Sequence, residues 1–235
     1  YKYRGNSKAK ATYYPHNNKI EMLWTVIPAV ALAFIIIFGL KYWNEIMADA
    51  NDPNRVVVEL YAKQFDWTAR YPGKDNKLGE TDYRQISGSN SVGMDTTDVV
   101  GFDDLLVRNE FHIPVGREVE LQIRSRDVIH SVYLPHFRAQ MNAVPGMITY
   151  FKFTPTKTTA EMRKDPYVIK MMEGINKQRE KDGNPPVEFD YLLLCNKICG
   201  ASHFNMQMNV VVDTEADYKI WVSKQKAVKT VAQNN

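Results

Sequence analysis

The chain has 235 residues, with 30 basic against 27 acidic side chains and a net charge of +3. So slight a balance gives no argument for nucleic acid, and the basic residues form no patch interleaved with aromatics. There is no glycine-rich phosphate loop, no nucleophile triad and no Cys-x-x-Cys-His string for a covalent c-type haem, so no haem is expected on this chain.

In chain order, the first feature is a basic segment, 1–20, carrying Lys2, Arg4, Lys8, Lys10 and Lys19. Met22 to Leu40 then runs without a charge, which at 1.5 Å per residue is about 28 Å of helix, close to a bilayer core. Trp24, Tyr42 and Trp43 mark its ends like an aromatic belt, and a membrane helix tolerates Pro28 near its start. A transmembrane helix is predicted over 21–43. Lys41 follows the run, then Glu45, Asp49 and Asp52, so charge asymmetry puts 1–20 in the cytoplasm and the rest outside. Ala48-Asp49-Ala50 could serve as a signal-peptide cleavage site. However, the run exceeds the usual ~7–15 residues, and charged residues intervene before that site. Glu21 has two readings: an acid favoured by the helix dipole, or an ionisable group at the membrane edge with a functional role.

The region 55–222 is large enough for one domain with its own core. Val56 to Ala62, Glu118 to Arg124, Ile148 to Phe153, Tyr191 to Leu194 and Met208 to Val212 read as strands. Short strands between Gly, Pro and Asp turns point to a mainly β sandwich or barrel. Gly73 to Asp104 is polar and reads as a surface loop. An insertion near 156–186 contains Tyr167 to Lys181, with Val168, Met172 and Ile175 at helical spacing. A terminal helix is expected after Asp213, and 223–235 is a polar tail expected to be disordered.

The only cysteines lie in Cys195-Asn196-Lys197-Ile198-Cys199-Gly200-Ala201-Ser202-His203-Phe204-Asn205-Met206. Two thiols could form a disulfide, but so short a loop gains little stability from closure. Zinc favours Cys and His but not thioether. Two thiolates, an imidazole and a thioether suit copper better than any hard cation. A second imidazole must come from elsewhere. His16 precedes the membrane segment, and His112 sits at the start of a strand, where a histidine is usually structural. The residues alone do not separate His130 from His136.

Asp127-Val128-Ile129-His130-Ser131, Ala143-Val144-Pro145-Gly146 and the Cys195 to Met206 string occur in one order, which resembles subunit II of haem-copper cytochrome c oxidases. The resemblance runs from about Asn18 to about Trp221, apart from the insertion. It implies a cupredoxin-like Greek-key barrel over 55–222 and a dinuclear copper centre, CuA. By position, Cys195 and Cys199 bridge both coppers, and His130 and His203 each cap one. Met206 and the Lys197 carbonyl are the weak ligands. The implied work is to take electrons from a c-type cytochrome and pass them to haem in oxidase subunit I. The implied setting is a bacterial inner membrane, with the copper domain on the periplasmic side. By position, Glu21 is the entrance of a proton pathway. The family has a preceding membrane helix, and since this chain starts at Tyr1 a fragment is expected. A membrane-anchored copper carrier is the alternative, disfavoured because a carrier must release its metal.

Two departures stand out. In Gln64-Phe65-Asp66-Trp67 the family's electron-accepting tryptophan position is Phe65, and Trp67 follows, so both are candidates. Lys197 stands where the family often has a magnesium-binding glutamate, and an ammonium cannot ligate magnesium, so no such site is expected. Asp66 and Asp127 are candidates to face a basic cytochrome. The insertion reads either as a surface excursion or as a docking element, in which Val168, Met172 and Ile175, beside Lys170, Lys177, Arg179 and Lys181, face another subunit or a partner complex.

Overall fold

The structure is a computed structural model that describes residues 4, 5, 8, 10, 13–48 and 52–228. It divides into two compact units at Ala48. Much of the basic segment, Lys2 included, and the tail from 229 lie outside the described residues.

The first unit is one helix, α1 (Asn18–Met47). It is longer than the 21–43 read from hydropathy because capping, rather than apolarity, sets its ends. The Asn17 side chain accepts from the Lys19 and Ile20 N–H groups, and Glu21 Oε1 accepts from the Asn17 N–H at 3.0 Å. Between Met22 and Leu40 it carries no charge and is apolar on every side, and none of its side chains is buried in the unit, as expected of a helix whose solvent is lipid.

The second unit is two five-stranded sheets packed on one core. The first has the order β3 (Leu105–Val107), β2 (Asp66–Tyr71), β1 (Val56–Lys63), β5 (Val119–Ser125), β8 (Thr149–Phe153). The second runs β4 (Glu110–Pro114), β10 (Gln207–Asp213), β9 (Tyr191–Cys195), β6 (His130–Leu134), β7 (Ala139–Ala143). β1 pairs in parallel with β5, and β4 with β10; the other pairs are antiparallel. Alternation explains β5: Val119, Leu121 and Ile123 face the core while Glu120, Gln122 and Arg124 face away. Trp67, Ala69 and Tyr71 of β2 meet them from the same sheet, and Phe111, Leu134, Leu193 and Val210 from the other.

Three regions differ from the sequence reading. The 73–104 loop is not merely surface. It covers the outer face of the first sheet and forms a second small core from Tyr61, Val92 and Met94. Under it lies a buried ion cluster. Arg70 Nη2 donates to Glu59 Oε2 at 3.0 Å and to the Gly79 carbonyl at 2.9 Å, and Arg70 Nη1 stands 3.5 Å from Asp104. The insertion folds into a single turn, α2 (Thr159–Met162), and a helix, α3 (Pro166–Lys181). Asp165 caps α3 and Pro166 occupies its first turn. The apolar stripe expected to face a neighbour is turned inward instead. Val168 is buried and Met172 packs on the core, leaving Ile175 exposed. Arg163 ties α2 to Glu188, Phe189 and Asp190, and Asn176 ties α3 to Val187. The insertion is therefore part of the domain, because its own apolar face is what the core needed to cover. Third, Ser223 and Lys224, read as tail, belong to the terminal helix α4 (Glu215–Lys224). Its Trp221 stacks on His112 at 4.3 Å.

Candidate metal centre

The loop from Cys195 to Met206 joins β9 to β10, and the Cys195 N–H donating to the Met206 carbonyl at 3.0 Å closes it. A tight turn at His203–Asn205 brings His203 back over the loop. Strand β6 lies beside β9, with Val132 opposite Cys195, so its first residue, His130, ends up at the loop.

Six of the residues proposed from sequence converge there. Cys195 Sγ stands 3.9 Å from Cys199 Sγ, 3.8 Å from His130 Nδ1 and 3.2 Å from the Lys197 carbonyl oxygen. Cys199 Sγ stands 3.6 Å from His203 Nδ1 and 3.8 Å from Met206 Sδ. Each thiol thus has its own imidazole and its own weaker donor, while the two sulfurs face each other. The donor atoms of His130, Cys195 and Cys199 fall within 4.8 Å of one another, compact enough to hold a metal. His130, Met206 and both cysteines are buried, whereas the Lys197 side chain is exposed. Burial, reinforced by Cys195, pushes the Cys199 thiol up to about 11. Thiolate ligation must therefore displace firmly held protons.

The other histidines lie elsewhere. His136 is past the far end of β6, wedged edge-on between Phe189 and Tyr191. Burial lowers its pKa. His112 Nδ1 bonds Asp213 at 2.5 Å in the shared β4–β10 pair.

A set of supporting contacts escaped sequence reasoning. Asp127 Oδ1 accepts hydrogen bonds from His130 Nε2–H at 2.8 Å and the Val128 N–H at 2.7 Å, while Oδ2 accepts from the Gln64 N–H at 2.8 Å. This fixes the tautomer that leaves His130 Nδ1 free toward Cys195. Burial alone would raise the Asp127 pKa, but these hydrogen bonds outweigh it and hold the carboxyl below its ordinary value. The Gln64 side chain donates to the Cys199 carbonyl, and the Phe65 ring lies on Gly200. Trp67 is buried, with its ring edge-on to His130 at 6.2 Å, while Phe65 is half-buried. The one local signal for any of this is the Asp-x-x-His spacing; the rest joins distant segments.

Both acids expected to face a basic cytochrome keep part of their side chains exposed, 43% for Asp66 and 30% for Asp127, and each also has partners within the chain. Asp66 Oδ2 lies 3.7 Å from Lys63 Nζ, and Asp127 is committed to His130, Val128 and Gln64.

Two packed sheets with candidate soft ligands gathered at one end make a cupredoxin-like domain, and the chain also carries an N-terminal helix long and apolar enough to cross a membrane. The profile described as the cytochrome c oxidase subunit II periplasmic domain matches residues 56–161, and that of the subunit II transmembrane domain matches 1–42. An alternative cytochrome c oxidase subunit 2 from Bradyrhizobium diazoefficiens is 34% identical over 227 residues, covering 96% of this chain and 70% of that protein. Cytochrome c oxidase subunit 2 of Thermostichus vulcanus is 26% identical over 237 residues, and the chain spans only 62% of its length. The crystal structure of the subunit II periplasmic domain from Bradyrhizobium japonicum aligns at a TM-score of 0.43 and 20% identity, over 72% of this chain and 91% of that one. The chain belongs to the cytochrome c oxidase subunit II family and is thus a subunit of an oxidoreductase complex.

Proposed function

We propose that this chain is the electron-transfer subunit of a cytochrome c oxidase, with a dinuclear copper centre held by Cys195, Cys199, His130, His203, Met206 and the Lys197 carbonyl. The observation that carries the reading is the paired arrangement of donors, one imidazole and one weaker donor for each of two facing sulfurs. The donor set is soft and nitrogen-poor, which fits copper. When bound, the copper pair supplies a one-electron site whose charge change is shared between two metals.

The chain's own residues do the rest. The β9–β10 closure and the Asn196 N–H to Ser131 carbonyl bond hold the loop rigid, which opposes ligand movement between redox states. Asp127 orients His130, and burial of the ligands excludes water and tunes the potential. Phe65, half-buried against the loop, is the candidate through which electrons enter; Trp67, buried against His130, is the candidate behind it. Ile198 and Phe204, both exposed on the loop, are our choice for the contact with subunit I, since paired exposed apolar side chains favour a partner. The donor is a c-type cytochrome on the periplasmic side of a bacterial inner membrane, and 1–20 faces the cytoplasm. Glu21 is the proton-pathway candidate. No magnesium site is proposed at Lys197. A copper carrier is disfavoured because buried ligands hinder release.

Copper content tests the reading. The domain should take up two coppers, and Cys195→Ser or Cys199→Ser should abolish the centre. Uptake of one copper, or a centre unaffected by either substitution, overturns it.

A further inference from the structure

The inward face of α3 is spent on the core, and its outward face is not. At 3.6 residues per turn, Lys170, Gly174, Lys177 and Lys181 fall within an arc of about 60°, opposite the buried Val168 and the core-packed Met172. All four are exposed. Among the described residues, none of the three lysine side chains has a hydrogen bond or an ion pair. Glu173 and Glu180 flank the row, are exposed, and pair with none of the three.

Gly174 is the odd member of that row. A glycine inside a helix weakens it. Nothing in this chain asks for one here: the position is helical, and a Cβ on it would meet open space. The glycine therefore leaves a notch in a ridge of lysines, and such a notch lets a second helix pack closely. The insertion leaves β8 at Phe153, beside the start of β5, and enters β9 at Tyr191. The Cys195 to Met206 loop follows the opposite end of β9, so the insertion is rooted away from the candidate metal centre.

We propose that the outward face of α3 docks an acidic α-helical segment of another polypeptide chain. Gly174 takes the crossing, and Lys170, Lys177 and Lys181 meet the segment's carboxylates. The three lysines span about 16 Å along the helix and stand on both sides of the notch, so a rod crossing at Gly174 finds cations on either hand. Tyr167, 76% exposed, adds a broad apolar surface near Lys170. Exposed ion pairs are individually weak, so close packing at Gly174 gives the fit and the lysines choose the partner. An anionic bilayer explains the face less well: a flat surface needs no notch, and it would repel Glu173 and Glu180. The proposal does not rest on the copper reading.

The test uses the intact oxidase in its native membranes, treated with a carbodiimide, which joins an amine only to a carboxylate in contact with it. Mass spectrometry should find Lys170, Lys177 or Lys181 joined to acids three or four residues apart in one other chain. The yield should fall by about fivefold or more in Gly174→Ala, although every lysine remains, and by a similar factor at high salt. Gly174→Ala should also slow amide exchange across α3 in the purified oxidase, because alanine strengthens the helix; this separates lost docking from lost folding. Cross-links confined to this chain, or scattered over many others, overturn the proposal. So does a yield indifferent to Gly174→Ala. A third contrary result is slower α3 exchange in phosphatidylcholine vesicles only when phosphatidylglycerol is added, with no cross-link to another chain, which would make the occupant lipid.

Discussion

Gly200→Ala should damage the domain through one identifiable contact. Gly200 has φ +146°, a conformation L side chains rarely adopt. A Cβ there would lie 2.8 Å from Phe65 Cζ, 2.9 Å from Phe65 Cε1 and 2.9 Å from Gln64 Nε2. Ordinary carbon contacts sit near 3.5–4.0 Å, so the ring must shift or the loop must rise. Overpacking of this kind costs about 1–3 kcal/mol and the backbone conformation about 1–3 kcal/mol more, for a sum of about 2–6 kcal/mol. That is a large share of the ~5–15 kcal/mol that holds a domain together. The measurement is urea unfolding of residues 52–235, a unit with its own core, for Gly200→Ala, Phe65→Ala and the double variant. The ring contribution should appear as coupling: alanine at 200 should cost about 1 kcal/mol less once Phe65 is trimmed, with the backbone part remaining. A cost under about 0.5 kcal/mol, or strict additivity with Phe65→Ala, would refute the reasoning.

Asp104 has its pKa raised to about 7, chiefly by burial, with Arg70 opposing. A carboxyl raised in the folded state holds its proton more tightly than in the unfolded chain, so its stabilising effect is full below pH ~4 and is lost as pH rises through about 7. Stability measured by chemical unfolding should fall over that window by an amount on the order of a few kcal/mol, and Asp104→Asn should flatten the slope; an unchanged slope would count against the assignment. His130→Ala should destroy or convert the copper spectrum while His136→Ala leaves it recognisable, and the reverse would misplace the upstream ligand. Glu21→Gln should slow oxidase turnover without altering the copper spectrum. Unchanged turnover would leave Glu21 only its helix-end contact with Asn17.

Much of the centre was legible because it is local. Four proposed ligand side chains and a carbonyl fall within twelve consecutive residues, and a hairpin loop is the shortest way to gather them. Residue chemistry alone did not separate His130 from His136; the family resemblance pointed to His130, and the pairing of β6 with β9 puts His130 rather than His136 beside Cys195. Asp127, Gln64 and Gly200 act across distant segments, so no spacing announces their contacts. Strands β1 and β5 were readable from their apolar residues, whereas β2 was missed because Arg70 and Thr68 look exposed in sequence. They are buried because the 73–104 loop covers them. The same non-local cause inverted the reading of α3, whose apolar stripe matches either a foreign partner or the chain's own core.

The central claim is that the two facing sulfurs hold two coppers that share one electron. Electron paramagnetic resonance of the copper-loaded domain tests it most directly. The account predicts hyperfine structure from both copper nuclei in one delocalised signal, lost in Cys199→Ser. A spectrum from a single copper nucleus at full loading would contradict it.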